Sequence, residues 1–190
     1  MNEETFLEAA YRLFRKKGIQ AVNLQQIAHA CSISLLEIKF MYKSKNELVS
    51  AVLWYTLNKK SNYLSISSSL SPSSVAELNN FFKFVDNNIN ELGQGIFTEL
   101  KKYHPLALNQ IKEWVDIRLA PYVQRVIERG LREGFCRDDL NYELYVPTYF
   151  YILRSILEND CNNWEEIMQM ISHINDVFFH GVLNAKGMRV

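Results

Sequence analysis

The sequence is poor in the residues that break or staple a chain. Only 7 glycines and 4 prolines occur among 190 residues, too few for a collagen-like or linker polymer. Three cysteines, Cys31, Cys136 and Cys161, are an odd number at wide spacing. That fits neither a disulfide framework nor a zinc site with its close cysteine pairs, so they are expected as small buried residues in a reducing compartment. Net charge is absent, because 21 Lys plus Arg balance 21 Asp plus Glu. No bulk positive field draws in a polyanion, and any role with nucleic acid has to rest on local residues. No uninterrupted apolar run of membrane-spanning length occurs, and the first residues place acids before their apolar positions instead of the apolar block of a secretory signal. A cytoplasmic protein with no membrane partner is expected. Sustained period-two alternation and internal repeats are also missing, so no sheet and no solenoid is expected.

What is present is a chain 48% hydrophobic and 13% aromatic, ample for a core, with its apolar residues at helical spacing. Phe6, Leu7, Ala10, Leu13 and Phe14 mark a first helix, opened by Asn2 or Thr5 and stopped by Gly18. A second short helix starts at Asn23 with Leu24, Ile27, Ala28 and Cys31 in register, and a third starts at Ser34 and reaches about Tyr42. A long helix follows from Lys45. The run Ser65 to Ser74, seven Ser and one Pro in ten residues, reads as a loop. Beyond it Leu78, Phe81, Phe82, Val85, Ile89 and Leu92 define a helix ended by Gly93 and Gly95; a long helix around Ile111 to Leu131 holds Pro121 as a kink; two more helices cover Tyr142 to Asn159 and Trp164 to Leu183. The fold class is therefore all-α, with about nine helices: a small domain over 1–50 and a helical bundle over 51–190.

Two short helices joined by a tight break and supported by a first one is the helix-turn-helix plan, here over about 23–42. The specific residues go further. Ala9-Ala10, Leu13-Phe14, Gly18, Ile27-Ala28, Ile33-Ser34, Ile38, Tyr42 and Ser44-Lys45 followed by Leu48 resemble the N-terminal domain of the TetR (tetracycline-repressor-like) transcriptional regulators. The resemblance implies a homodimer on a palindromic double-stranded DNA operator, with a C-terminal domain that holds an inducer pocket and the dimer interface. It also implies a repressor released by a small-molecule ligand, with the long helix from Lys45 as the lever between sites.

The third helix departs from the family's pattern. Lys39 stands where a Tyr is usual, Leu35 and Leu36 where small or basic residues open the helix, Phe40 where a His is frequent, and Ser32 where the loop has glycine. Two readings compete: apolar side chains packing on thymine methyl groups with Lys39 on a guanine edge or phosphate, or an all-helical protein-interaction module that kept the fold and lost specific DNA reading. Phosphate contacts are expected at the backbone N–H groups of Asn23, Ser34 and Lys45, supported by Gln25 and Lys43. Residues 1–50 hold seven Lys or Arg against five acids, a surplus with the sign this requires.

In the remainder, aromatic residues at helical spacing are core by default. The resemblance assigns Trp54, Phe81, Phe84, Phe97, Trp114 and Tyr149 to the wall of a ligand pocket. Tyr151, Ile167, Ile171, Ile174 and Phe178 are expected to pair with their copies in a four-helix dimer interface. No cofactor or metal is expected: His173 and His180 lie seven residues apart, about 10 Å along a helix, too far for one ion. No catalytic motif occurs, so an enzyme is not expected.

Overall fold

The computed structural model describes residues 2–158 and 163–190, except the side chain of Ser67; Asn159 and Cys161 lie outside the described residues. Their regular secondary structure is helical, apart from an isolated antiparallel bridge between Cys136 and Leu183. In chain order the helices are α1 (Glu3–Lys17), α2 (Leu24–Cys31), α3 (Leu35–Met41), α4 (Lys45–Leu70), α5 (Ser74–Tyr103), α6 (Pro105–Trp114), α7 (Ala120–Glu133), α8 (Tyr142–Glu158) and α9 (Trp164–Val182). The all-α expectation, with an N-terminal helix-turn-helix ahead of a larger helical region, is met.

Two sequence expectations need correction. The serine run is not a loop over its whole length, because α4 continues to Leu70. Propagation from an established helix is cooperative and carries through serine despite its weak propensity; there Ser69 Oγ donates back to the Ile66 carbonyl (2.8 Å). Gly93 does break the helical run of α5, as expected. It takes φ 71°, ψ 157°, and the helix resumes beyond it, with Gly95 inside the resumed part. A Cβ at Gly93 would meet nothing within 4 Å, so the glycine serves the backbone angle and not a close approach. Pro121 does not sit mid-helix. The run after His104 is α6, a π-helical turn over Val115–Leu119, and α7 with Pro121 in its first turn. There the missing N–H costs nothing, whereas within a continuous helix the ring would have met the carbonyl four residues earlier.

The chain forms two compact units, 1–62 with 92–114 and 63–91 with 115–190. The first is built on one apolar cluster. Phe6, Ala10, Ile19, Val22, Ile27, Ile38 and Leu48 come from α1 to α4, and Ile96, Leu100 and Ala107 come from α5 and α6. The loop after α1 is fastened from far along the chain: the Glu99 carboxylate accepts the N–H groups of Ile19 and, at 3.2 Å, Gln20. His104, buried, bonds Asn46 Oδ1 (2.7 Å) and Gln20 Nε2 (2.8 Å) through its two ring nitrogens. Burial lowers its pKa, with the Lys45 ammonium adding to the effect and Glu99 opposing it.

In the second unit Phe81 is the hub of an aromatic core, within 6.4 Å (ring centroids) of Tyr122, Tyr149 and Phe150 and 5.4 Å from Phe82. Helices α8 and α9 face one another through Tyr145 and Tyr149 on one side and Phe178 on the other, at 4.8 and 5.0 Å. Gly181 permits this approach, since a Cβ there would stand 2.5 Å from the Tyr145 hydroxyl. One polar chain crosses the core: the Tyr149 hydroxyl donates to Asn175 Oδ1 (2.7 Å), and Asn175 Nδ2 donates to Asp86 Oδ1 (2.6 Å). Burial raises the Asp86 pKa above the ordinary carboxylate range, a shift the Asn175 bond partly opposes.

Candidate nucleic-acid interface

Each helix of the pair α2 and α3 is too short to persist by propensity and is closed at its start by a reciprocal cap. At α2, Asn23 Oδ1 accepts from the Gln26 N–H (2.9 Å) while Gln26 Oε1 accepts from the Asn23 N–H (3.0 Å). At α3, Ser34 Oγ accepts from the Glu37 N–H (3.1 Å), and the Glu37 carboxylate accepts the Ser34 N–H and hydroxyl, both at 2.7 Å. These bonds hold the Glu37 pKa below the usual carboxylate range. The turn between the helices is made by Ser32, which takes the left-handed conformation (φ 52°, ψ 39°). Ile33 N–H then donates to the Ala28 carbonyl (3.1 Å), folding α3 back over α2.

One side of α3 is fixed by burial. Ile38 is fully buried, Leu35 is half-buried, and Tyr42 beyond the helix end stacks on Phe6 (5.8 Å) and donates to Glu3 Oε1 (3.0 Å). The opposite side is bare. Leu36 is 78% and Phe40 91% exposed, with Glu37, Lys39 and Met41 exposed beside them. Between this side and the start of α1 lies an open groove of about 570 Å³ whose lining combines Phe6, Ile33, Leu36, Phe40 and Met41 with the carboxylates of Glu3 and Glu37.

The expected contact residues Asn23, Gln25, Ser34, Lys39 and Lys43 all sit on the surface of the helix pair or just beyond it. The expectation of free backbone donors at Asn23 and Ser34 is corrected, because both N–H groups are already bonded within their own caps. Lys43 N–H likewise donates to Glu47 Oε2 (2.8 Å) at the start of α4. Lys45 is half-buried, and its ammonium donates to the Gln20 carbonyl (3.1 Å). Burial lowers its pKa, with Glu99 opposing. The cap partners Gln26 and Glu37 were readable as the third residue after Asn23 and Ser34. The groove was not, since it joins residues more than thirty positions apart.

Residues 6–52 match the family model described as bacterial regulatory proteins, tetR family. The N-terminal domain is a tetR-family domain. Regulators of the tetR family are not enzymes. A comparison with curated proteins finds no match. Among solved structures, similarity extends over nearly the whole chain. A transcriptional regulator from Cytophaga hutchinsonii has a TM-score of 0.79 at 13% identity, covering 95% of this chain and 98% of its own. FadR from Bacillus subtilis, solved with stearoyl-CoA, has 0.65 at 10% identity, covering 95% and 100%. A transcriptional regulator from Saccharomonospora viridis, solved with choline, has 0.68 at 16% identity, covering 94% and 96%. At such identities the likeness is one of fold, and it extends the tetR-type architecture beyond the matched domain.

The remaining assigned residues divide. Of the six aromatic rings, Trp54, Phe97 and Trp114 belong to the first unit, with Trp114 Nε1 donating to Ser61 Oγ (3.0 Å); Phe81, Phe84 and Tyr149 belong to the second and are buried. Within the second unit Phe81 touches Tyr149, whereas Phe84 stacks on Tyr63 (6.5 Å). For the interface, Ile167, Ile171 and Phe178 are buried, and Ile174 is half-buried. The first three are corrected to core residues, since their side chains are already covered within the chain, Phe178 against Tyr145 and Tyr149. Tyr151 is 70% exposed. Among the described residues no helix is long and apolar enough to cross a membrane, and no group of three or more His, Cys, Asp or Glu is placed to hold a metal ion.

Proposed function

We propose that the chain is a cytoplasmic, homodimeric repressor that binds a palindromic operator through α2 and α3 and is released by a small molecule. The observation that carries this reading is the bare outer side of α3 within a domain of the tetR family, an orientation that leaves Leu36, Lys39 and Phe40 for a partner while Ile38 anchors the helix. Gln25 and Lys43 contact phosphate from the flanks; Ser34 and Asn23 hold the helices that present the contacts; Lys45 acts through the loop whose carbonyl it binds. The dimer forms on the outer sides of α8 and α9, where Leu144, Tyr151, Met170 and Val177 are exposed at helical spacing. Ligand release is supported by the two relatives of the same fold that were solved with stearoyl-CoA and with choline.

Selection of duplexes from a random-sequence pool tests the reading, repeated at low and physiological salt. A palindrome whose affinity falls steeply with salt is expected. Failure to enrich any sequence would point to the protein-interaction alternative. Replacing Tyr151 and Val177 by Glu should yield a monomer in analytical ultracentrifugation. Fatty acyl-CoA and choline are the first ligands to try, read as a rise in unfolding temperature together with loss of the selected duplex.

A further inference from the structure

Leu36 and Phe40 stand one helical turn apart on the bare side of α3, about 6 Å along its axis. Neither side chain has a hydrogen-bonding group, so neither distinguishes one donor or acceptor pattern from another. The major groove offers such side chains a single apolar mark, the methyl group on C5 of a pyrimidine. Base pairs follow one another at about 3.4 Å along a strand, so a separation of about 6 Å spans roughly two steps. The neighbouring charges favour the base edges over the backbone. Glu3 and Glu37 line the groove beside Leu36 and Phe40, and their carboxylates repel phosphate. Glu37 is moreover occupied by the Ser34 N–H and hydroxyl, so it offers a base little without opening the cap of α3. Lys39, on the adjoining exposed position, is the cation available to a guanine edge or a phosphate.

The geometry points to Leu36 and Phe40 as readers of pyrimidine 5-methyl groups, two of them within about two base-pair steps in each half-site. This rests on the operator-binding reading above and adds what the operator must contain. The methyl groups belong to thymine or to 5-methylcytosine, which share the feature.

The test uses the full chain and the duplex enriched from a random-sequence pool. Each thymine is replaced singly by deoxyuridine, which removes only the methyl group, and affinity is measured at fixed salt. At two positions per half-site a loss of about fourfold for each methyl is expected. In Phe40→Ala and Leu36→Ala proteins that penalty should vanish at one position each, while circular dichroism and the unfolding midpoint stay unchanged. At the same two positions, 5-methylcytosine paired with guanine should bind more tightly than cytosine, and whichever of thymine and 5-methylcytosine binds more strongly identifies the source. Deoxyuridine tolerated within twofold at every position of a selected duplex would overturn this inference alone. A Phe40→Ala protein that keeps full affinity would overturn it as well and assign the apolar groove to another macromolecule. A pool that yields no preferred sequence would overturn it together with the operator reading.

Discussion

Phe40 and Phe81 are the same side chain set in opposite surroundings, and they typify the regions that hold them. In the helix-turn-helix, short helices are secured at their ends by side chains bonded to backbone, which leaves the outer side of α3 open to carry exposed apolar groups. In the second unit, longer helices are secured along their length by rings packed against rings, with polar groups such as Tyr149, Asn175 and Asp86 bonded to one another. Where caps hold a helix its face is available for recognition; where packing holds it, the same aromatic content is consumed by stability.

The contrast is sharpest at Phe81. Its replacement by Ala should cost about 4 kcal/mol in denaturant unfolding, as for other fully buried phenylalanines. A cost below about 1 kcal/mol would mean the ring borders space that a ligand fills and would shift Phe81 from core to pocket. Asn23→Ala removes one half of a capping box and should cost about 1 kcal/mol, with a matching loss of α2 protection in amide exchange; Asn23→Ser should restore most of it. For Asp86 the effect follows pH. Its folded pKa lies above the unfolded one, so the folded state holds the proton more tightly, and the contribution to stability is complete below the unfolded pKa and declines as pH rises through the folded one. Asp86→Asn should flatten that part of the pH profile of the unfolding midpoint, whereas an unchanged slope would remove the carboxyl from the account. The smallest effect on stability belongs to Phe40→Ala, within about 0.5 kcal/mol, since an exposed side chain has little packing to lose. Loss of DNA affinity without loss of stability is the outcome that separates the two phenylalanines.

The helix-turn-helix was legible in the sequence because its determinants are local: Asn23 and Ser34 mark the two helix starts, Gly18 stops α1, and the apolar positions recur at helical spacing. The helices of the second unit were legible as helices but not as surfaces. Phe178 and the exposed Met170 and Val177 are equally apolar on paper, and only the packing against Tyr145 and Tyr149 shows that Phe178 is the one turned inward. Contacts between distant residues, such as Glu99 with the loop after α1, leave no periodic trace.

That distant fastening sets a limit on how the molecule can be recombined. The 6–52 segment is the part that a designer would transplant to give another regulator a new operator. Yet its apolar floor is completed by Ile96, Leu100 and Ala107, and its first loop is fastened by Glu99. A graft cut at residue 52 would carry an unfinished hydrophobic seat and two amides without their acceptor. A working chimaera should be cut as two pieces, with 92–114 travelling alongside the reading helices.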